Sequence, residues 1–175
     1  MSLPDWREEP IAKKHDRASF DCGAPALNEF LQWHARPSHE KGAAKTFLAI
    51  SKADGKTILG FYSLCPASLE YARAPEMVRK GLARQDVPVF RLGRLAVHRP
   101  VQGQGLGGQL ILAAGRRCLL AAKEVGGVAL LIDAKNERAA KWYSSYGAIP
   151  LADAPLSLLL PLATIQDALE TSGKL

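Results

Sequence analysis

The residues best placed to do chemistry lie at residues 99–110, RPVQGQGLGGQL, where four glycines fall within residues 103–108. The apolar, β-branched segment before them, residues 89–97, predicts a strand. The segment from Leu106 to about Glu124 is rich in Leu, Ala and Arg and predicts a long helix that ends at Gly126-Gly127. Backbone N–H groups at such a turn are free and lie at the positive end of the helix dipole. The turn therefore predicts a binding site for a phosphate or a pyrophosphate.

Two nucleotide-binding motifs are excluded or disfavoured by the residues around this turn. A Walker A loop requires a Lys and a hydroxyl residue directly after its last glycine, and no glycine here has them. The spacing G-x-G-x-x-G of dinucleotide-binding proteins occurs at Gly103, Gly105 and Gly108, but it lies past the middle of the chain. Glu124 lies within the predicted helix rather than after a second strand, which argues against NAD. A tight turn without a ligand would need only one or two of these glycines.

The strand, the Gln-x-x-Gly-x-Gly pattern and the long helix together resemble the acyl-CoA loop of the GCN5-related N-acetyltransferases (GNAT). The pattern falls on Gln102, Gly105 and Gly107, and the order of elements agrees with the family over roughly residues 10–165. The resemblance implies acetyl-CoA as donor, with its pantetheine arm on the strand backbone of Leu95, Ala96 and Val97. It also implies that the pyrophosphate is bound by the backbone of Gly103, Gln104, Gly105, Leu106, Gly107 and Gly108.

Residues 136–147, NERAAKWYSSYG, predict a second functional helix from Asn136 to Tyr146 that ends at Gly147. They resemble the helix after the fifth strand of the same family. By that resemblance, Asn136 contacts the cofactor and Tyr143 faces the departing thiol, where its phenol can act as general acid. Trp142 and Tyr146 are expected to be packing aromatics.

Four further motifs resemble one branch of this family, the acetyltransferase toxins of bacterial type II toxin–antitoxin systems. They are FDCG at 20–23 with ALNEFL at 26–31, GFYSL at 60–64, RLGRLAV at 91–97 and DAK at 133–135. The resemblance implies acetylation of the α-amino group of aminoacyl-tRNA, which blocks translation. It also implies a homodimer and a small ribbon-helix-helix antitoxin as partner. The toxins usually carry an acidic residue where His98 stands, and His98 is expected to be a turn residue.

An α-amino group is a suitable acceptor because its pKa lies near 8, against about 10.4 for a lysine side chain. Such an amine needs little help from a general base, and the residues identify no convincing one. Glu70 could act through water, His98 follows the cofactor strand, and the identity of any base stays open. Catalysis would then rest mainly on proximity and on backbone N–H groups that polarise the thioester carbonyl.

The chain carries a net charge of +6, which is compatible with a polyanionic partner. A phosphate-binding rim for RNA is predicted to include Arg91, Arg94, Arg79, Lys80 and Arg84, together with Lys13, Lys14 and Arg73. Alternation along the strand directs Arg91 and Arg94 to opposite faces, so at most one faces the reaction.

Length and composition predict a single domain over residues 1–175, since 175 residues with 47% hydrophobic content can bury a sizeable core. The order of elements predicts an α/β (α+β) fold with a mixed central sheet and helices on both faces. The resemblance implies that the sheet is mostly antiparallel, with strands splayed at the acyl-CoA site. The longest apolar run, residues 154–165, is too short to span a membrane. Without a secretory signal, a cytoplasmic protein is expected, with three reduced cysteines and no metal.

The element pattern places a first strand at residues 11–15 and a helix from Pro25 to Lys41. A hairpin of residues 46–50 and 58–65 follows, joined by Asp54-Gly55. A short helix at 74–82 comes next. Later strands are expected at 128–133, 149–152 and 156–160.

Two other functions remain open on the residues alone. One is a GNAT enzyme that acetylates a small amine or a protein amino group, which an acidic cleft would favour. The other is a non-catalytic acyl-CoA-binding protein, against which the full glycine loop and Tyr143 argue. A basic surface would favour the tRNA-directed enzyme.

Overall fold

The computed structural model describes residues 2–173, which form seven strands and six α-helices. The strands are β1 Trp6–Pro10, β2 Lys45–Ser51, β3 Ile58–Leu69, β4 Val87–Val97, β5 Ala129–Asp133, β6 Ile149–Leu151 and β7 Ala154–Pro161. The α-helices are α1 Pro25–Glu29, α2 Ala35–Lys41, α3 Glu76–Arg79, α4 Leu106–Val125, α5 Glu137–Ser144 and α6 Leu162–Thr171. A π-helical turn, Phe30–His34, joins α1 to α2, and 3-10 turns lie at Tyr71–Arg73 and Arg99–Val101.

The strands form one mixed sheet of order β1-β2-β3-β4-β5-β7-β6. Pairing is antiparallel for β1–β2, β2–β3, β5–β7 and β6–β7, and it is parallel for β4–β5. The prediction of a mixed, mostly antiparallel sheet is therefore confirmed. The parallel register runs from Val89 beside Ala129 to Leu92 beside Ile132, and β4 continues beyond it to Val97.

The chain divides into two compact units. The first unit contains the chain up to Cys65 together with Arg94–Ile111, and the second contains Pro66–Gly93 and the chain from Leu112 onward. Strands β3 and β4 and helix α4 each pass from one unit into the other. The single-domain interpretation of residues 1–175 stays a prediction, and its residues 1, 174 and 175 lie outside the described residues.

The first unit is built around the buried ring of Phe61. Phe20 meets this ring edge-on at 5.5 Å between centroids, and Phe30 stacks on it at 6.2 Å. Helix α1 begins at Pro25, as predicted, and the π-helical turn directs Phe30 and Leu31 into the core. Gly42, with φ of 76°, ends α2 in the left-handed conformation.

The predicted first strand at residues 11–15 is wrong, because the strand lies earlier, at Trp6–Pro10. Residues 11–15 instead form a turn closed by the buried His15 side chain. Its Nδ1 accepts from the Ala12 N–H at 3.0 Å, and its Nε2 lies 3.1 Å from Glu9 Oε1. Hydrogen bonds from Arg7, His15 and Lys14 lower the pKa of Glu9 to about 2. The charged sequence WREEP does not show the pattern of a buried strand, but charged residues are common in edge strands such as β1.

The second unit is built on β5, which is buried from Ala129 to Ile132, as its unbroken apolar sequence predicts. Helix α6 was not anticipated from the sequence. The apolar run 154–165 divides at Pro161, which ends β7 and serves as N-cap of α6. Ile165 of α6 packs against Gly115 of α4, where an added Cβ would lie 2.6 Å from Ile165 Cγ2. Within residues 2–173, no helix has both the length and the apolar character to cross a bilayer.

Two adjacent glycines before β5 provide a matched test of packing. Gly126 and Gly127 both have positive φ, 88° and 128°. A Cβ at Gly127 would lie 2.4 Å from Phe90 Cε2, whereas one at Gly126 would meet no atom within 4 Å. We expect Gly127→Ala to lower the free energy of unfolding by about 3–4 kcal/mol, because overpacking adds to backbone strain.

The control, Gly126→Ala, carries only the backbone strain and is expected to lose about 1–2 kcal/mol. Urea denaturation of both variants measures the difference. Equal losses would contradict the role assigned to Phe90.

Candidate active site

The end of β4 is joined to the glycine loop, residues 102–108, by the side chain of Gln102. Its Nε2 donates to the carbonyl of Val97 at 2.8 Å and to that of Cys22 at 3.0 Å. The amide nitrogen is therefore committed to the protein backbone and holds the loop against the strand end and the 20–23 turn. The sequence motif predicts that Gln102 binds the cofactor. It does not reveal that the Gln102 side chain supports the loop through bonds to the backbone.

The loop itself exposes backbone. Gly103 and Gly105 have φ of 79° and 87°, and a Cβ at either position would meet no atom within 4 Å. Glycine is required there by conformation, at a cost of about 1–2 kcal/mol for another residue, and not by crowding. The space beside both glycines is open for a ligand.

Helix α4 supplies hydrogen-bond donors next to this space. Its early helical bond runs from Gln109 N to Gly105 O at 3.3 Å. The N–H groups of the first turn, at Leu106, Gly107 and Gly108, have no acceptor within a helix that starts here. Open space, positive-φ glycines and a helix N-terminus together suit an anion such as a pyrophosphate.

Gln104 leaves an acceptor in the same loop. Its Oε1 is shielded from solvent and has no donor among residues 2–173. A buried polar atom without a partner is uncommon in proteins. The loop thus offers free backbone N–H donors and one side-chain acceptor, so it can bind a ligand that carries both acceptors and donors.

Gly60 of β3 brings three elements of the first unit into contact. A Cβ there would lie 3.0 Å from the Ala96 carbonyl oxygen, 2.9 Å from Leu110 Cδ1 and 3.2 Å from Leu106 Cδ2. The start of α4 and the end of β4 therefore pack directly on the backbone of β3.

His98, directly after β4, is a structural residue, as expected. Its Nδ1 accepts from the Asp21 N–H at 3.1 Å, and its ring stacks on Phe20 at 5.5 Å. Its backbone N–H donates to the Leu59 carbonyl at 2.8 Å. These contacts fix the turn before the glycine loop and occupy the nitrogen that a general base would use.

Tyr143 of α5 belongs to the second unit and is buried, with 7% of its surface exposed. Burial raises the pKa of its phenol to about 12, and the negative charge of Asp133 adds to the effect. The hydroxyl therefore stays protonated at neutral pH and is available as a donor. Trp142 packs edge-on against Tyr143 and Tyr146, consistent with its expected packing role.

Asn136 is the N-cap of α5. Its Oδ1 accepts from the Ala139 N–H at 2.9 Å, which satisfies one of the free donors of the first turn. Its Nδ2 remains as the group that could meet a cofactor. The sequence signal for a functional Asn is thus also explained by helix capping.

The predicted basic residues have different surroundings. Arg91 Nε lies 3.2 Å from Asp133 Oδ2, and both side chains are about half exposed. The guanidinium of Arg94 lies 3.8 Å from the centre of the Phe30 ring. Arg79, Lys80 and Arg84 do come together, around a depression of about 450 Å³ beside Tyr71. The guanidinium of Arg79 lies over that ring at 5.3 Å.

Two further expectations concern metals and a base. In the described part of the chain, no three His, Cys, Asp or Glu side chains form a group that could hold a metal ion.

Glu70 is exposed and precedes the 3-10 turn Tyr71–Arg73. It makes no side-chain cap to that turn.

The contacts of Gly60 generate a test of the donor site. We expect Gly60→Ala to weaken acetyl-CoA binding about tenfold, equivalent to about 1.4 kcal/mol, because the added Cβ displaces the Ala96 carbonyl and the start of α4. Titration calorimetry measures the dissociation constant. The matched control is Gly93→Ala on β4, where the new Cβ would meet only Arg91 Cγ at 3.9 Å. An unchanged dissociation constant in folded Gly60→Ala protein would refute this role.

Comparison with known proteins gives relatives that span nearly the whole chain. The tRNA-acetylating toxin of Mycobacterium tuberculosis (strain ATCC 25618 / H37Rv) is 36% identical over 150 residues, which cover 86% of this chain and 88% of that protein. The solved structure of AtaT complexed with acetyl-methionyl-tRNAfMet has a TM-score of 0.87 and 32% identity, covering 94% of this chain and 99% of AtaT.

A second AtaT structure, of a tyrosine-to-phenylalanine mutant bound to acetyl-CoA and the C-terminus of the antitoxin AtaR, has a TM-score of 0.80. Its identity is 30%, and the match covers 94% of this chain and 98% of that one. Residues 43–147 match the acetyltransferase (GNAT) domain. The chain therefore belongs to the GNAT family of acetyltransferases, enzymes whose acyl donor is acetyl-CoA.

Proposed function

We propose that this enzyme transfers the acetyl group of acetyl-CoA to the α-amino group of aminoacyl-tRNA and thereby blocks translation as a toxin. The observation that carries the proposal is the likeness, over 94% of this chain, to AtaT complexed with acetyl-methionyl-tRNAfMet. A relative named for tRNA acetylation, at 36% identity, supports the same substrate.

On this proposal the glycine loop holds the pyrophosphate of acetyl-CoA. The donors are the backbone N–H groups of Gly103, Gln104, Gly105, Leu106, Gly107 and Gly108. The strand backbone of Leu95, Ala96 and Val97 holds the pantetheine arm. Gln102 supports the loop through its bonds to the backbone, and Asn136 offers its remaining amide donor to the cofactor.

In the reaction, the neutral amine attacks the thioester carbonyl, so that a C–N bond forms and the C–S bond breaks. The electron pair of the broken bond leaves with the CoA sulfur. Tyr143 donates its phenolic proton to that sulfur as general acid. The ammonium formed by attack loses a proton to solvent, and Tyr143 recovers one, so that protons balance over the cycle.

A strong general base is not needed for this acceptor. The α-amino group has a pKa near 8, so a useful fraction is already a nucleophile at neutral pH. Glu70 is exposed, and on this proposal any contribution it makes as a base passes through water. The enzyme therefore acts mainly by holding the amine beside an activated thioester.

The RNA backbone is bound by basic side chains outside the donor site. Arg79, Lys80 and Arg84 share one depression, where three positive charges face a single acidic side chain, Glu76. Arg91, in the middle of β4, and Arg94, three residues before its end, contribute further charge. Such contacts position the tRNA without reading its sequence.

The partner expected for a toxin is an antitoxin, and the complex of the related AtaT with the C-terminus of AtaR supports this. We propose a ribbon-helix-helix antitoxin and a homodimeric toxin. We also propose action in the cytoplasm, where charged tRNA serves the ribosome.

The acceptor is tested with radiolabelled acetyl-CoA and total charged tRNA. After nuclease digestion, label is expected on N-acetylaminoacyl-adenosine, and none is expected with deacylated tRNA. Polyamines, aminoglycosides and lysine-containing proteins are the competing acceptors. Label on these alone would refute the proposal and would indicate a small-amine or protein acetyltransferase. No label on any of them would indicate an acyl-CoA-binding protein without catalysis.

The role of Tyr143 is tested by Tyr143→Phe, which removes only the hydroxyl. We expect the rate of acetyl transfer to fall at least about 100-fold, the usual contribution of a general acid, while acetyl-CoA binding is kept. Growth inhibition on expression should disappear as well. The control is Tyr146→Phe, which removes a hydroxyl from a partly exposed ring of the same segment and should leave the rate unchanged.

The raised pKa of Tyr143 also predicts the shape of the pH profile. Activity should rise as the amine loses its proton near pH 8 and should then stay level, because an acid with a pKa of about 12 remains protonated. An amide-linked aminoacyl-tRNA, which resists alkaline hydrolysis, makes the measurement possible. A decline centred near pH 10 would contradict the role of a buried phenol.

A further inference from the structure

A second cavity, of about 460 Å³, lies in the first unit beside the π-helical turn. Its walls come from the turn after β1 and from the segment that joins α1 to α2. The residues that matter are Asp16, Arg17, Gln32, Trp33 and Arg36. None of these residues belongs to the donor site, to the proposed acid or to the basic rim described above.

Trp33 is the most unusual of these residues, since 64% of its surface is exposed. The neighbouring Phe30 and Leu31 face the core, so the π-helical turn leaves the indole on the outside. Such turns are rare and are frequently found at functional sites. An exposed indole face provides a platform on which a planar group can stack.

Two arginines of the cavity carry donors that lack acceptors. The Nε atoms of Arg17 and Arg36 are shielded from solvent, and neither has a hydrogen-bond acceptor among residues 2–173. Arg17 does donate from Nη1 to the Gln32 carbonyl at 3.3 Å, and Arg36 Nε lies 3.6 Å from Glu40 Oε1. A shielded donor without an acceptor is destabilising, so an oxyanion reached by side-chain rotation would relieve this cost at Arg17. At Arg36 the oxyanion would compete with the exposed Glu40 carboxylate, which lies within ion-pair distance.

The wall beside these arginines is fixed by local bonds. The Asp16 carboxylate accepts from the Ser19 N–H at 3.2 Å, and residue 16 pairs with Thr57 through a β-bridge. The buried His15 closes the preceding turn. The cavity therefore exists before any ligand binds, which lowers the entropic cost of binding.

We propose that this cavity binds a nucleotide from an unpaired stretch of RNA, with its base stacked on Trp33 and its phosphate held by Arg17 and Arg36. This inference rests on the proposed function for its biological substrate. Stacking on an aromatic ring beside arginine is the usual way in which proteins bind unpaired RNA. A peptide fits less well, because only Ala18 and Pro37 offer aliphatic contact in the lining.

Binding is measured with a short, uncharged, single-stranded RNA that carries a fluorophore, by fluorescence anisotropy. Trp33→Ala should weaken binding about tenfold, within the range for loss of one stacked base, and Trp33→Phe should restore most of it. The double variant Arg17→Gln/Arg36→Gln should weaken binding by a similar factor. It should also reduce the dependence of log K on log salt by about 0.7 for each RNA phosphate that the variant no longer neutralises.

Matched controls remove the same kinds of group elsewhere. Arg116→Gln removes an exposed arginine of α4, and Leu120→Ala removes an exposed apolar side chain of the same helix. Both should bind the RNA as the unmodified protein does. Thermal melting of each variant verifies folding, and Trp33→Phe keeps the test valid if Trp33→Ala does not fold.

Steady-state kinetics with charged tRNA separate this inference from the proposed function. The cavity variants should raise KM for charged tRNA by the same factor as the RNA dissociation constant, with kcat and KM for acetyl-CoA unchanged.

If the unmodified enzyme transfers acetyl to charged tRNA while the variants bind RNA normally, the cavity proposal alone fails. If the unmodified enzyme does not acetylate charged tRNA, the proposed function fails, and RNA binding still decides the cavity. Normal RNA binding together with lost binding of an antitoxin peptide would overturn the proposal in favour of a protein site.

Discussion

The proposed donor site depends on one close approach, at Gly60, where β3 has no side chain. The Ala96 carbonyl and the side chains of Leu106 and Leu110 occupy the space that a Cβ would need. The end of β4 and the first turn of α4 are therefore fixed against the same strand. Gln102 then bonds the connecting loop to the end of β4 at Val97 and to the 20–23 turn at Cys22. Only with these supports can a loop of glycines, flexible by nature, hold its N–H groups in one arrangement.

The chemistry proposed for this enzyme makes modest demands on its side chains. A neutral amine needs no strong base, and a thiolate leaving group needs one proton, which a buried phenol can hold up to a pH of about 12. The histidine that follows β4, His98, holds the Asp21 backbone instead of acting as a base. On the proposed function, the positive φ values of Gly103 and Gly105 serve the pyrophosphate of the donor rather than the acceptor.

Much of the fold was predictable because its signals are local. The glycine loop, the helix α4 and the buried strand β5 each follow from residue types within a few positions, and all three are present. Strand β1 could not be located from periodicity, because its residues are charged and its pairing partner, β2, lies about forty residues later in the chain. Helix α6 was not predicted because one apolar run contains both a strand and a helix. Pro161 marks the boundary, but the packing of Ile165 on Gly115 becomes visible only in the structure.

The candidate site, like the fold, was predictable only in part. Motif spacing predicted which residues belong to the loop, but it could not show that the nitrogen of Gln102 and the oxygen of Asn136 are already bonded within the protein. It also gave no sign of the cavity beside Trp33, because Arg17 and Arg36 are distant in sequence and have ordinary neighbours. Cavities formed by separate turns become visible only once their backbone positions are known.

The contacts of the basic residues distinguish those whose donors are free to bind an RNA phosphate from those already paired with a carboxylate. Sequence alone directs Arg91 and Arg94 to opposite faces of the strand, but it does not say which of them faces the reaction. In the structure, Arg91 already pairs with Asp133, so a phosphate must compete with a carboxylate for it. Arg94 instead lies over the face of Phe30, a contact that fixes the guanidinium but leaves its edge N–H donors free to meet an acceptor. A preoriented cation whose donors are not paired to an acid binds a phosphate at lower entropic cost, so on the proposed function we expect Arg94 to be the better RNA ligand of the two.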